Sequence, residues 1–122
     1  MLFHIERFIK MLIILSDMEE TKFIKYIGDT PVIRILDFLI TGRDFDYSLS
    51  DIARNAGVSW ATLYRLWPSF MANKIVIHTR NIGKAKLFQL NKENEIVQNL
   101  VKLYKSILRS DIKLVKPERV LA

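Results

Sequence analysis

The chain has 122 residues and a net charge of +6, with half of its residues hydrophobic and 26% charged. That is enough apolar material for one folded domain and too much for a disordered tail. The lack of cysteine excludes disulfides, thiolate metal sites and thiol catalysis, and two distant histidines, His4 and His78, form no metal cluster, so neither metal nor cofactor is expected.

The charge is unevenly spread. No acid stands between Asp51 and Glu93, and that stretch holds Arg54, Arg65, Lys74, Arg80, Lys84, Lys86 and Lys92, so it carries +7 and the remainder −1. A basic excess confined to one segment favours a polyanionic partner, whether DNA, RNA or anionic lipid.

At the N-terminus, Phe3, Ile5, Phe8, Ile9, Leu12, Ile13 and Leu15 recur at roughly helical spacing. The longest uncharged run there is MLIILS, far too short to span a bilayer, and no cleavage site follows, so an amphipathic helix of a cytoplasmic protein is expected. Ser16 to Glu19 has the form of a capping box, predicting a helix to about Ile27 with Phe23, Ile24 and Ile27 buried and Gly28 left-handed at its end. Met18 is an alternative start of the chain, decidable by intact mass. Next, Thr30 as cap, Pro31 at the first position and Gly42 at the end delimit a core helix. Its inner face is Val32, Ile35, Leu36, Leu39 and Ile40, with Arg34 and Asp37 outward. Tyr47 and its neighbours predict a short strand, after which Ser48 caps the following helix with Asp51 at its third position.

From Ser48 the pattern is a short helix to about Ala56, then Gly57, Val58, Ser59 as a new cap, and a helix from Trp60 to about Ala72. Two helices joined so tightly must cross steeply with close backbones. Ala53 is small at the crossing, Gly57 supplies positive φ, and Ile52, Val58, Leu63 and Leu66 are apolar where the helices face each other. This spacing resembles the helix-turn-helix of DNA-binding proteins. With Leu63, Leu66, Trp67 and Phe70 inward, the other side presents Trp60, Ala61, Tyr64, Arg65 and Pro68. Such a helix enters a major groove by its N-terminal turns. Arg65 would then fork to guanine or clamp a phosphate, Ser59 and Thr62 would bond phosphate or a base edge, and Trp60, Ala61 and Tyr64 would touch thymine methyls or the sugar-phosphate edge. Trp60 could equally staple a neighbouring loop, and Pro68 either aims the helix by a kink or ends it early.

IVIHTR, NIGK and AKLFQL then read as strand, turn and strand, a β-hairpin following a helix-turn-helix as in a winged helix domain. Arg80, Asn81, Lys84 and Lys86 surround its tip, where no acid of the segment competes, and would contact backbone phosphate or the minor groove. The stretch from about Gly28 to Leu108 resembles a family of small archaeal winged helix-turn-helix proteins held to regulate transcription, most specifically in DIARNAGVS, TLYR and RNIGKAKLFQLNKEN. The family usually has an aliphatic residue and a glycine near MANKIV, where this chain has Asn73, which also tolerates positive φ.

The last helix is capped by Asn91 or Asn94 and carries two apolar rows, Ile96, Leu100, Leu103 and Ile107 beside Val97, Val101, Tyr104 and Leu108. One row satisfies the domain and a second suits a partner helix, so a homodimer through this helix, with or without the N-terminal one, is expected. The expected architecture is mainly α with a small β-hairpin: an N-terminal helical extension (1–28), a winged helix-turn-helix domain (29–92) and a dimerisation helix (93–116). The expected partner is double-stranded DNA rather than a membrane. With four glycines there is no phosphate loop, dinucleotide fingerprint or nucleophile elbow, so no enzyme is expected. The exposed aromatics sit on a helix, unlike the sheet platforms of RNA binders. The rival readings are a winged helix protein-interaction module and a replication or architectural DNA-binding protein.

Overall fold

The structure, a computed structural model, describes residues 21–113. The expected helix over 3–15, the capping box at Ser16–Glu19 and the KPERVLA tail lie outside the described residues. In chain order the elements are α1 (Lys22–Ile27), α2 (Pro31–Thr41), β1 (Tyr47–Ser48), α3 (Leu49–Ala56), α4 (Trp60–Ala72), β2 (Val76–Ile82), β3 (Ala85–Leu90) and α5 (Glu95–Arg109).

Side-chain oxygens set the helix starts, each supplying an acceptor to an amide that has no partner inside the helix. Ser48, Ser59 and Asn94 open α3, α4 and α5 in this way, and Thr30 opens α2 with Pro31 beside it. The helix expected to run on from Ser16 is corrected: Thr21 is extended, and its Oγ1 accepts from the Ile24 amide at 3.3 Å, so a new helix starts there. That helix ends after six residues, which leaves Ile27 exposed rather than buried. Gly28 has φ of 124° and ψ of 151°, a positive φ but not the left-handed helical conformation expected.

The same Thr21 hydroxyl donates to Asp37 Oδ1 at 3.0 Å. Asp37 was expected outward, yet it is buried, because the short α1 packs across that face of α2. Val32, expected inward, is instead 38% exposed. Phe23 enters the same core as Tyr104 of α5, with ring centroids 5.3 Å apart, and the Tyr104 hydroxyl meets Thr41 Oγ1 at 2.8 Å. Burial pushes the Tyr104 phenol above its ordinary value, and the Thr41 hydrogen bond opposes that shift. The centre of the core is Ile35, Leu39, Ile40, Ile52, Leu63 and Val97, each fully or almost fully buried. Each contributes roughly 1.5–3 kcal/mol relative to an exposed side chain.

The sheet is antiparallel in the order β1-β3-β2, with Tyr47 opposite Phe88 and Ser48 opposite Leu87. Tyr47 also explains Gly42. That glycine has an ordinary φ of −100°, but a Cβ there would run into the Tyr47 hydroxyl, so close approach rather than backbone freedom requires it. Helix, turn, helix and hairpin together make a winged helix, as the strand and turn patterns predicted.

Candidate nucleic-acid interface

The turn between α3 and α4 is built as the spacing implied. Gly57 sits in the left-handed region at φ 69° and ψ 34°, and the Val58 amide returns to the Ala53 carbonyl at 3.0 Å. Ser59 then caps α4: its Oγ accepts from the Thr62 amide at 3.1 Å and donates to Thr62 Oγ1 at 2.8 Å. Leu63, Trp67 and Phe70 face the core, and the opposite side presents Trp60, Ala61, Tyr64, Arg65 and Pro68 to solvent. Trp60 is 51% exposed and Tyr64 67%, with their rings 6.3 Å apart at 32° to each other. Pro68 lacks the amide that the Tyr64 carbonyl would accept from, but it does not end the helix, which continues to Ala72.

Three residues separate α4 from β2. Positive φ there falls on Lys74 (φ 55°) and not on Asn73, which tolerates it but sits at φ −86°. A left-handed lysine costs about 1–2 kcal/mol. Its carbonyl is held in place by the side-chain amides of Asn91 and Asn94, each at 3.0 Å. The hairpin is locked to α4 by rings: Trp67 meets Phe88 edge-on at 5.2 Å, and Phe88 meets His78 at 5.7 Å.

The hairpin tip differs from the expectation in one respect. Strand β2 runs through Asn81, opposite Lys86, to Ile82, so the turn is Gly83–Lys84 alone, with Gly83 at φ 59°. Asn81 Oδ1 lies 2.7 Å from His78 Nε2, within the strand. Between His78 and Arg80 the register shifts, leaving Thr79 as a bulge.

At that bulge the expectation that nothing acidic competes at the wing is overturned. The Asp46 carboxylate, carried in beside β1, accepts from Arg80 Nε at 2.9 Å and Nη2 at 3.1 Å, and from Thr79 Oγ1 at 2.6 Å. The Arg80 fork, backed by the Thr79 hydroxyl, holds the Asp46 carboxyl below its ordinary value. Lys92 pairs with Asp44 and Arg54 with Asp51. The acid-free segment is thus acid-free in sequence only, because Asp44 and Asp46 fold back on it and Asp51 reaches Arg54 along the helix. Arg65, Lys74, Lys84 and Lys86 remain without an acidic partner among the described residues. Nothing in the residues next to Asp46 marks it as a partner of the wing. The signal lies in the topology, since a strand at Tyr47 must pair with the hairpin and bring the preceding acids to its base.

On α5 the two apolar rows do not divide cleanly. Val97, Tyr104 and Ile107 are buried, whereas Ile96, Leu103 and Leu108 are exposed at 62%, 41% and 44%. The cap is Asn94. No group of three potential metal ligands occurs among the described residues, and no helix among them is long and apolar enough to cross a membrane.

No protein-family model matches the chain, and no curated protein does. Solved structures do. MepR of Staphylococcus aureus, a transcription regulator of the multidrug efflux pump MepA, aligns at 13% identity over 97% of this chain and 87% of its own, with a TM-score of 0.54. Lactococcus lactis ZitR in apo form aligns at 10% identity over 86% and 73%, with a TM-score of 0.52. A ZitR variant in complex with DNA aligns at 11% identity over 88% and 77%, at 0.50. At these identities the likeness is one of fold.

Proposed function

We propose that this chain is a sequence-specific double-stranded DNA-binding protein that regulates transcription. In this reading α4 lies in the major groove, with Ser59, Trp60, Ala61, Thr62, Tyr64 and Arg65 against bases and their flanking phosphates. The hairpin tip, through Asn81, Lys84 and Lys86, follows the backbone or the minor groove. Arg80, already bound by Asp46, acts there by holding the wing rather than by touching phosphate. A homodimer paired through the exposed apolar residues of α5 would bring two reading helices to a palindromic site. The reading is that of the small archaeal regulators the sequence resembles.

The observation that carries it is a convergence. The exposed side of α4 carries two large aromatics and an arginine without an acidic partner, and the adjoining hairpin tip carries two more unpaired cations. Cations left without acids beside exposed aromatics suit a surface that meets a polyanion. The fold-level likeness to MepR, a transcription regulator, and to ZitR, seen with DNA, adds support.

Fluorescence anisotropy on a random-sequence duplex between about 50 and 200 mM salt tests it. Affinity should fall steeply with salt, and Lys84→Ala/Lys86→Ala should flatten the log–log slope by about 1.8, at roughly 0.9 per lost phosphate contact. Absence of binding by the wild type would leave a protein-interaction module as the better account.

A further inference from the structure

The reading helix has an unusually narrow chemical vocabulary. Between Trp60 and Ala72 it contains no Asn, Gln, Asp, Glu, Lys or His. Paired recognition of adenine N6 and N7 uses Asn or Gln, and recognition of the cytosine amine uses an acid. Neither chemistry exists on this face. Of the hydroxyls at its start, Ser59 Oγ is spent within the cap, donating to Thr62 Oγ1 while accepting from the Thr62 amide, and Thr62 keeps one proton to donate. Arg65 is the single forked donor.

What the face does offer is apolar. Trp60 and Tyr64, more than half exposed and with rings 6.3 Å apart, form with Ala61 a continuous surface at the N-terminal end, the end that enters deepest. In the major groove the one apolar feature of a base edge is the methyl group on C5 of a pyrimidine.

From these residues we infer that α4 reads C5-methyl groups: its half-site is a run of thymines, or of 5-methylcytosines in their place, beside one guanine held by Arg65. The inference rests on the DNA-binding reading above and specifies its ligand. Trp60 and Tyr64 are then specificity-determining, while the wing lysines supply affinity of any sequence.

The test uses two 24-base-pair duplexes of the same sequence, each holding runs of thymine beside a guanine, one with thymine and the other with deoxyuridine at those positions. Both present the same hydrogen-bonding groups and differ in the methyls. Transfer of one methyl from water predicts about fourfold in affinity for each one covered. The thymine duplex should bind at least that much more tightly to the wild-type protein. Trp60→Ala/Tyr64→Ala should bind both duplexes equally, with an unchanged circular dichroism spectrum because both side chains lie on the surface. Tyr64→Phe, which keeps the ring, should retain the preference. Equal binding of the two duplexes by the wild type overturns the methyl reading and leaves DNA binding standing. A preference that survives in Trp60→Ala/Tyr64→Ala overturns the assignment of residues. Failure to bind either duplex removes the DNA-binding reading and the inference with it.

Discussion

Arg80 illustrates how a charge can be misjudged from its neighbours in sequence. It lies in a long acid-free run, yet its fork of donors is taken by Asp46, which stands 34 residues earlier and also grips the Thr79 bulge. Two outcomes follow. Arg80→Ala should leave the salt dependence of DNA binding as it is, while hydrogen exchange in β2 quickens. Asp46→Asn should release the guanidinium and steepen the salt slope by about 0.9, one added phosphate contact. A flatter slope in Arg80→Ala would mean that the arginine leaves Asp46 for the DNA. The pH dependence has a definite sign. Asp46 titrates below its ordinary value of 3.8 in the fold, so the stability it confers is complete above that value. It is lost as pH falls through the lower folded value, and the acid unfolding of Asp46→Asn should lack this component.

Among the elements, α4 carries the most tension between local rule and final form. A proline in a helix interior costs about 3 kcal/mol, and Pro68 deprives the Tyr64 carbonyl of its intrahelical donor. Pro68 and Tyr64 are both exposed, so water can satisfy that carbonyl, and the buried Leu63, Trp67 and Phe70 hold the helix together around the gap. Pro68→Ala should therefore stabilise the protein by about 1–3 kcal/mol, read as a higher denaturant midpoint at unchanged slope. Here sequence reasoning reached its limit. It located both ends of α4 through Ser59 and Ala72, because caps and turns are local chemistry. It did not decide whether the proline would break the helix, because that depends on what the far side packs against. The same division runs through the chain. Thr30, Ser48, Gly57 and Asn94 do what their residue types foretell. Asp37, Arg80 and Lys74 do not, since each is settled by a contact across 16 or more residues. The candidate site was legible for α4, whose two faces separate by helical period, and less so for the wing, whose charges depend on a strand pairing.

At the scale of the whole molecule, the side of α5 turned away from the core is an apolar face among the described residues. Its apolar residues continue toward a groove lined by Leu36, Leu66, Phe70 and Leu100. Ile96 and Leu103 are a poor fit to solvent, and the proposed homodimer would cover them. Ile96→Glu/Leu103→Glu should convert a dimer to a monomer in analytical ultracentrifugation, with little loss of fold because neither side chain is buried. If the wild type sediments as a monomer at all accessible concentrations, the α5 pairing is refuted.

The protein's two tryptophans occupy opposite environments, Trp60 half in solvent on the outer face of α4 and Trp67 sealed at 6% exposure between Phe70 and Phe88. Their emission is accordingly separable. With Trp67 replaced by phenylalanine, the remaining indole is a red-shifted, readily quenched lamp on the face proposed to meet DNA. With Trp60 replaced instead, the other is a blue-shifted lamp in the core that is blind to ligand and responds to unfolding. Two single-tryptophan variants thus report separately on occupancy and on integrity, in parallel titrations and without any attached dye.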